Sequence, residues 1–342
     1  MKKKIFLLLC TFSVMSFACE PNANMIGFCS HPNGKPQEDT YAIEKMGNNI
    51  FCGVYDGNGG PEASGYLRDN LHVFFKKALL APKEVEIFIR PVERAFKDSF
   101  YDVEEYIISQ KKEVGASALA VYLQGNKAHI AWVGTVCAVL ECDNNVLFAT
   151  KNHTLSEPDN PLILNSYEST RIAKADIFRE YFPELKKENS FSPVGSWLIN
   201  GFYTTRFIGH PWAKGRLSSS KAFNNPLRNT SDGQAHIQRY SGEYIPNGEN
   251  TWIVTPRIGQ ILAEPEYREI TLTEKNHWFI IASDGLASCM KHKEMIDVVN
   301  YYYMQNVHCL NTIASKLVKM AIERGSTKNI SIIIIDLLAS RM

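Results

Sequence analysis

The sequence predicts an α+β fold in which antiparallel strands are layered against pairs of helices. Short apolar runs separated by turn residues fill positions 117–150 and are typical of antiparallel strands. Two amphipathic helical patterns precede these runs, and two more follow near the end of the chain. Because each such element has an apolar face to bury, we expect strands and helices to pack as layers around shared cores.

The composition is that of an ordinary globular protein. With 342 residues, 45% of them hydrophobic, the chain can bury one large core or two small ones. A formal net charge of +1 gives no electrostatic case for binding nucleic acid. The eight cysteines show no Cys-x-x-Cys pair and no zinc spacing, so the sequence assigns neither a zinc site nor a disulfide pairing.

The N-terminal segment predicts export. Lysines at Lys2 to Lys4 precede a mostly apolar run that is too short to span a membrane comfortably, and Ser16 and Ala18 are small residues suited to a cleavage site. We therefore expect residues 1–18 to be a signal peptide and the mature protein to be secreted or periplasmic. Cys19 follows directly, which also allows a lipid-anchored lipoprotein. No transmembrane span is predicted.

A strand followed by a glycine turn stands near the start of the predicted fold. The run from Ile50 to Tyr55 predicts a buried strand that ends at Asp56. Three glycines follow within four residues, so the backbone there can turn tightly and approach a ligand closely. A helical pattern begins near Pro61, a residue suited to a first helical turn. Asp56 is therefore suited either to capping a plain turn or to holding a hard cation.

Two helices with one buried stripe each are predicted between Ala63 and Ile108. The stop Ala81-Pro82-Lys83 separates them and predicts an antiparallel hairpin. We expect the aromatic residues of both stripes in the core. The first stripe holds Ala63, Tyr66, Leu67, Leu71, Phe74, Phe75 and Leu79, and the second holds Val85, Phe88, Ile89, Val92, Phe96, Phe100, Val103 and Ile107.

The next part of the chain predicts an antiparallel meander of four strands, with His129 as a strand residue rather than a ligand. Residues 155–260 predict an irregular insertion whose aromatics either pack as a flap or line a peptide-binding surface. Regular structure then returns, ending in a strand too apolar for an exposed edge. The predicted strands are 119–123, 128–133, 138–140, 146–149, 278–283 and 330–335, the late helices are 294–303 and 309–324, and the aromatics are Trp197, Phe202, Tyr203, Phe207 and Trp212.

Acidic residues stand beside three of the predicted elements. Glu38-Asp39 precedes the first strand, Asp56 ends it, and Asp284 ends the late strand at 278–283. Such positions converge when the strands share a sheet. Oxygen ligands with one carboxylate bridging two ions are the arrangement of two-cation sites for phosphate chemistry.

Eight short motifs occur in a fixed order between about residue 25 and residue 337, each weak alone but specific as a set. They are Gln37-Glu38-Asp39, Val54-Tyr55-Asp56-Gly57-Asn58-Gly59-Gly60, Gly115-Ala116-Ser117-Ala118, Val133-Gly134-Thr135-Val136-Cys137-Ala138, Ser220-Lys221-Ala222-Phe223-Asn224-Asn225, Ala263-Glu264-Pro265, Ala282-Ser283-Asp284-Gly285-Leu286-Ala287-Ser288 and Lys328-Asn329-Ile330. This set resembles the PPM-type (type 2C) metal-dependent protein serine/threonine phosphatases. In that family the fifth motif reads Ser-Arg-Ala-x-Gly-Asp.

The resemblance implies a single domain over residues 24–338, with 155–260 as an insertion inside it. Its fold would be a four-layer α/β/β/α sandwich, with two stacked antiparallel sheets flanked by antiparallel helix pairs. In the family, two manganese or magnesium ions hold a water that attacks the phosphorus of phosphoserine or phosphothreonine.

Carried over by position, the resemblance implies a partial set of metal ligands. Glu38, Asp56 and the Gly57 carbonyl would hold one ion, and Asp56 and Asp284 would contribute to the other. Asp56 would bridge the two ions, and Asp39 would support the site.

The chain departs from the family pattern at most other chemical positions. Asn58 replaces the histidine that assists the leaving group, and an amide is no acid near neutral pH. Thr135, Ser288 and Lys328 replace metal-binding aspartates, and Gly34, with Lys35 beside it, replaces the phosphate-binding arginine. We expect no secure catalytic residue and at most one bound Mn²⁺ or Mg²⁺ ion.

These departures predict a pseudophosphatase that binds or regulates a protein or phosphoprotein. The alternative is a weakly active Mn/Mg-dependent phosphoserine/phosphothreonine phosphatase, so enzymatic activity is left open. Lys328 aligns with a lost metal ligand, and we hypothesise that its ammonium pairs with Asp284, with Asp56 or with both, rather than extending into solvent.

Overall fold

The structure is a computed structural model that describes residues 25–81, 90–110, 112, 114–154, 204, 206–210 and 263–339, together with short strands between 156 and 256. The helices are α1 Glu62–Leu80, α2 Pro91–Ser109, α3 Asp284–Ala287, α4 His292–Met304 and α5 Leu310–Glu323. The strands are β1 Ile26–His31, β2 Thr40–Met46, β3 Asn49–Asn58, β4 Gly115–Gln124, β5 Lys127–Val133, β6 Cys137–Cys142, β7 Asn145–Ala149, β8 Ser156–Glu157, β9 Asn160–Leu164, β10 Ser190–Phe191, β11 Trp197–Leu198, β12 Ile208–Gly209, β13 Gly242–Pro246, β14 Trp252–Pro256, β15 Glu266–Thr271, β16 Trp278–Ala282 and β17 Ile330–Asp336.

Two antiparallel sheets form the centre of the fold. The first has the strand order β1-β17-β16-β6-β7, and the second has the order β15-β5-β4-β3-β2, with β12 also pairing with β4. Apolar residues of both sheets, including Leu119 and Ile333, pack in a core between them. This core forms because the strands of both sheets are apolar on the faces that meet.

Helices cover the outer face of each sheet. Phe75 of α1 and Phe96 of α2 pack on the second sheet, and Ile296 of α4 and Leu317 of α5 pack on the first. The stacked rings of Tyr66 near the start of α1 and Tyr106 near the end of α2, with centroids 3.9 Å apart, show that these helices are antiparallel. The predicted four-layer α/β/β/α sandwich is confirmed.

The prediction of one continuous meander is wrong at a single connection. Strands β4 and β5 pair as a hairpin, and so do β6 and β7, but β6 pairs with β16 in the other sheet rather than with β5. The chain crosses between sheets after Gly134, whose φ of +89° and whose Cβ position 2.1 Å from Ser117 Oγ both require glycine. Apolar runs alone do not say which sheet a strand joins.

The remaining predicted elements agree with the structure where it describes them. The last strand, β17, is buried along its whole length between β1 and β16, and His129 lies buried in β5. Phe207 is also buried, whereas the side chains of the other four insertion aromatics, and the predicted stripe residues Val85, Phe88 and Ile89, lie outside the described residues. Among the described residues, no helix has the length and apolarity needed to cross a membrane.

Candidate metal centre

Three aspartates from both sheets meet at one end of the sandwich. Asp56 lies near the end of β3, Asp39 directly precedes β2, and Asp284 opens α3 after β16. The three side chains lie close enough to interact electrostatically: the charges of Asp284 and Asp39 act on Asp56, and the charge of Asp284 acts on Asp39. The three carboxylates therefore converge, but through the stacking of two sheets: β3 belongs to one sheet and β16 to the other, so the single shared sheet expected from the sequence is not the cause.

Close backbone approaches hold this end of the fold together. A Cβ at Gly285 would lie 2.0 Å from the Asn329 carbonyl oxygen, and one at Gly57 would lie 2.4 Å from the Glu38 carbonyl oxygen. Only glycine permits such contacts. Asn329 secures the arrangement, because its Oδ1 accepts from the Glu38 N–H at 2.8 Å and its Nδ2 donates to the Pro32 carbonyl at 2.7 Å.

Burial and mutual repulsion raise the pKa values of two of the aspartates. Burial, opposed by a hydrogen bond with Ser283 and aided by the nearby charge of Asp284, raises the pKa of Asp39 to about 6. Burial, then the charges of Asp284 and Asp39, raises the pKa of Asp56 well above its usual range, although Lys328 opposes the shift. Three carboxylates this close require a proton or a cation among them.

Lys328 supplies a cation to this cluster. Its Nζ donates to Asp284 Oδ2, as the sequence hypothesis expects. The Lys328 side chain is 53% exposed and that of Asp284 is 19% exposed, so the pair lies at the rim of the site. The ammonium thus contacts a carboxylate that the family resemblance assigns to a metal ion.

The donor set fits the family's pair of metal ions poorly. Within the described ranges, no group of three or more His, Cys, Asp or Glu side chains is arranged to hold a metal ion. The second ion would compete with the Lys328 ammonium for Asp284, and like charges disfavour that occupancy. Carboxylate and carbonyl oxygens of Glu38, Asp56 and Gly57 remain chemically suited to a single hard cation.

The other replaced positions make contacts of their own. The Thr135 N–H donates to Ser117 Oγ at 3.3 Å, and Ser288 is exposed at the end of α3 with its Oγ 3.8 Å from Cys289 Sγ. Lys35 is exposed in a turn in which its N–H donates to the Pro32 carbonyl. None of these three residues has a carboxylate that could join the three aspartates in binding a cation.

A histidine that sequence reasoning missed lies beside Asn58. His210 Nε2 is 3.2 Å from Asn58 Oδ1, and the His210 side chain is buried. The predicted counterpart of the Ser-Arg-Ala-x-Gly-Asp motif, residues 220–225, lies outside the described residues. The run Arg206-Phe207-Ile208-Gly209-His210 has the same spacing from arginine to glycine, with histidine in place of the final aspartate. This spacing was the signal that could have identified His210.

Comparison with known proteins places this geometry in context. The family profile described as protein phosphatase 2C matches residues 30–330. The chain is 23% identical to "Probable protein phosphatase 2C 45" of Oryza sativa subsp. japonica, covering 91% of this chain and 87% of that protein. It is 24% identical to "Probable protein phosphatase 2C 71" of Arabidopsis thaliana, covering 84% of this chain but only about half (49%) of that protein.

Solved structures share the fold. A sex-determining protein of C. elegans superposes with a TM-score of 0.63 at 16% identity, over 91% of this chain and 64% of that one. The serine-threonine phosphatase 2C of Toxoplasma gondii superposes with a TM-score of 0.58 at 14% identity, over 91% of this chain and 94% of that one. At these identities the likeness concerns the fold alone.

Proposed function

The chain belongs to the protein phosphatase 2C family, and from that premise we propose that it is a pseudophosphatase, a binding or regulatory module for a protein or phosphoprotein. The observation that carries the proposal is the contact between the Lys328 ammonium and Asp284. A positive charge on this carboxylate opposes the second metal ion on which the family's phosphate chemistry depends. The replacements at Thr135 and Ser288 remove further acidic ligands.

Hydrolysis of p-nitrophenyl phosphate and of a phosphoserine peptide, measured with manganese, tests the proposal. The Asp56→Asn variant is the control, because it removes the carboxylate that would bridge two ions. We expect the wild-type protein to be no faster than this control with either substrate. Turnover by the wild type that Asp56→Asn abolishes would contradict the proposal.

That contradicting result would favour a second candidate function, a weakly active Mn/Mg-dependent protein phosphatase. One observation favours this candidate: the imidazole of His210 lies beside Asn58, two residues beyond Asp56. A proton-donating group therefore remains at the site even though position 58 has lost its own.

We also propose that the protein is exported, as the Lys2 to Lys4 start and the Ser16-x-Ala18 segment suggest. Cys309 takes part in a disulfide, whereas Cys29, Cys52, Cys137, Cys142 and Cys289 are free thiols. A disulfide supports an oxidising compartment. Intact-mass analysis of the native protein should give a chain that begins at or near Cys19, with added lipid mass if the protein is a lipoprotein. A chain that retains Met1 would contradict export.

A further inference from the structure

We infer that His210 is the proton donor of this site, so that the function lost at position 58 has moved across the sheet and only the cation side is defective. The inference concerns the same site as the proposed function but rests on the second candidate function, because a proton donor matters only where phosphate esters are hydrolysed. Hydrolysis of a phosphoserine ester leaves a strongly basic serine oxygen, which needs a proton as it departs. An imidazole can supply one near neutral pH, whereas the amide of Asn58 cannot.

Strand pairing places His210 at the site. Asn58 of β3 lies opposite Gly115 of β4, and Gly115 lies opposite Gly209 of β12 on the other side. A Cβ at Gly115 would come within 2.4 Å of His210 Cδ2, so the ring lies over the strand where a side chain is missing. The imidazole can therefore reach across β4 to Asn58.

The backbone around His210 is held in an unfavourable state by buried groups. His210 has a φ of +51°, a left-handed conformation that few residues other than glycine adopt, although histidine adopts it more often than most. Its N–H donates to the Val114 carbonyl at 2.9 Å, and the Gly209 N–H donates to the buried Glu104 Oε2 at 2.6 Å. Strain of this kind persists only where surrounding structure imposes it, and it concentrates at functional sites.

Asn58 gives the ring its orientation. With the amide oxygen of Asn58 as acceptor, His210 carries its proton on Nε2, the nitrogen that faces the site. In the reaction a water oxygen bonds to phosphorus while the bond from phosphorus to serine Oγ breaks, and its electron pair stays on Oγ. Protonated His210 gives the Nε2 proton to Oγ. One proton of the attacking water stays on the phosphate and the other returns to His210 through solvent.

The leaving group separates this role from a structural one. We would measure the rates at which a phosphoserine peptide and p-nitrophenyl phosphate are hydrolysed in the presence of manganese. Four proteins are compared: the wild type, Lys328→Asp, and each of these with His210→Gln added. His129→Gln is the matched control, since His129 is a buried histidine of β5 that contacts Tyr267 rather than the site. Melting temperatures establish that each variant folds.

In each protein that hydrolyses the substrates, His210→Gln should lower the rate of peptide hydrolysis by about a hundredfold. The rate of aryl ester hydrolysis should fall by less than about threefold, because that leaving group needs no proton. His129→Gln should change neither rate. Equal losses on both substrates, no loss on either, or no turnover by any variant would overturn the inference.

Whether the wild type hydrolyses either substrate tests the pseudophosphatase proposal. Whether His210→Gln slows peptide hydrolysis more than ester hydrolysis tests the role of His210. A silent wild type with an active, His210-dependent Lys328→Asp variant supports both. NMR of ¹⁵N-histidine-labelled protein gives a second readout that needs no turnover. The neutral His210 ring should carry its proton on Nε2 and lose that preference in Asn58→Ala; a proton on Nδ1 in the wild type would also overturn the inference.

Discussion

Two carboxylates, Glu141 and Asp39, are buried to nearly the same extent but have opposite surroundings. Glu141 is 2% exposed and Asp39 is 3% exposed. Both oxygens of Glu141 accept from backbone N–H groups, Oε1 from Asn144 and Oε2 from His277 at 2.7 Å and from Trp278 at 3.4 Å. The loop after β6 and the start of β16 are thereby joined through one side chain.

Asp39 has weaker compensation, because the hydrogen bond with Ser283 opposes its raised pKa only in part. Its Oδ2 lacks a hydrogen-bond partner among the described residues, and its neighbours include the acids Asp56 and Asp284. The comparison shows that a carboxylate serving the fold is surrounded by fixed donors, whereas the site keeps carboxylates that need a proton or a cation. Four substitutions test this difference, from the largest expected effect to the smallest.

Gly285→Ala should have the largest effect on stability, at the end of the sandwich where Asp39, Asp56 and Asp284 meet. A Cβ there would collide with the Asn329 carbonyl, so Asp284 and Lys328 would be pushed apart, and we expect a loss of about 4 kcal/mol in unfolding free energy. Gly65→Ala is the matched control, because a Cβ on that residue of α1 meets nothing within 4 Å. Urea denaturation should find the control unchanged or more stable by up to about 1 kcal/mol. Equal effects of the two substitutions would show that the close contact is absent.

Glu141→Ala should lower the unfolding free energy by about 3 kcal/mol, because the N–H groups of Asn144, His277 and Trp278 lose their acceptor. Glu141→Gln should cost less, since one amide oxygen remains to accept. Thermal unfolding at pH 7 gives both values. If Glu141→Ala leaves the stability unchanged, the distinction drawn between the two carboxylates is wrong.

Asp39→Asn should stabilise the metal-free protein at pH 8 by roughly 2 kcal/mol, because it removes a charge that burial disfavours. The pKa of Asp39 rises from 3.8 to about 6 on folding, so the folded state binds more protons between these values and stability falls as pH rises through that window. The advantage of Asp39→Asn should therefore be complete above about pH 6 and vanish below about pH 4. Denaturation midpoints at pH 4 and pH 8 measure it, and a variant that is less stable at both would contradict the account.

Lys328→Met should have the smallest effect, a loss of about 1 kcal/mol, because the half-exposed ammonium is partly screened by water. A double-mutant cycle with Asp284→Asn isolates the pair, since a neutral residue at 284 no longer needs a counter-charge. Lys328→Met should then cost nothing in the Asp284→Asn background. An equal cost in both backgrounds would mean that Lys328 stabilises the fold by other contacts.

Sequence patterns predicted layered helices and strands, and seven of the eleven strands in the two central sheets, because apolar periodicity directly reflects burial. The strands β1, β2, β12 and β15 were not predicted. The patterns did not predict that β6 changes sheets, since the change depends on Gly134 and on pairing partners distant in sequence. Lys328 was identifiable because Asn329-Ile330 fixes its alignment. His210 was missed because the motif whose spacing it fits was placed at residues 220–225, and because its contact with Asn58 arises only when β12 pairs with β4 beside Gly115.

Manganese calorimetry tests the central claim most directly, namely that Lys328 occupies the place of a metal ion. The wild type should bind at most one Mn²⁺ ion, with modest affinity and dependent on Asp56, because few carboxylates remain to offset the ion's dehydration. Lys328→Asp should be less stable without metal, regain stability with manganese and bind Mn²⁺ more tightly. Two tight sites in the wild-type protein, or a Lys328→Asp variant that binds no better than the wild type, would contradict it.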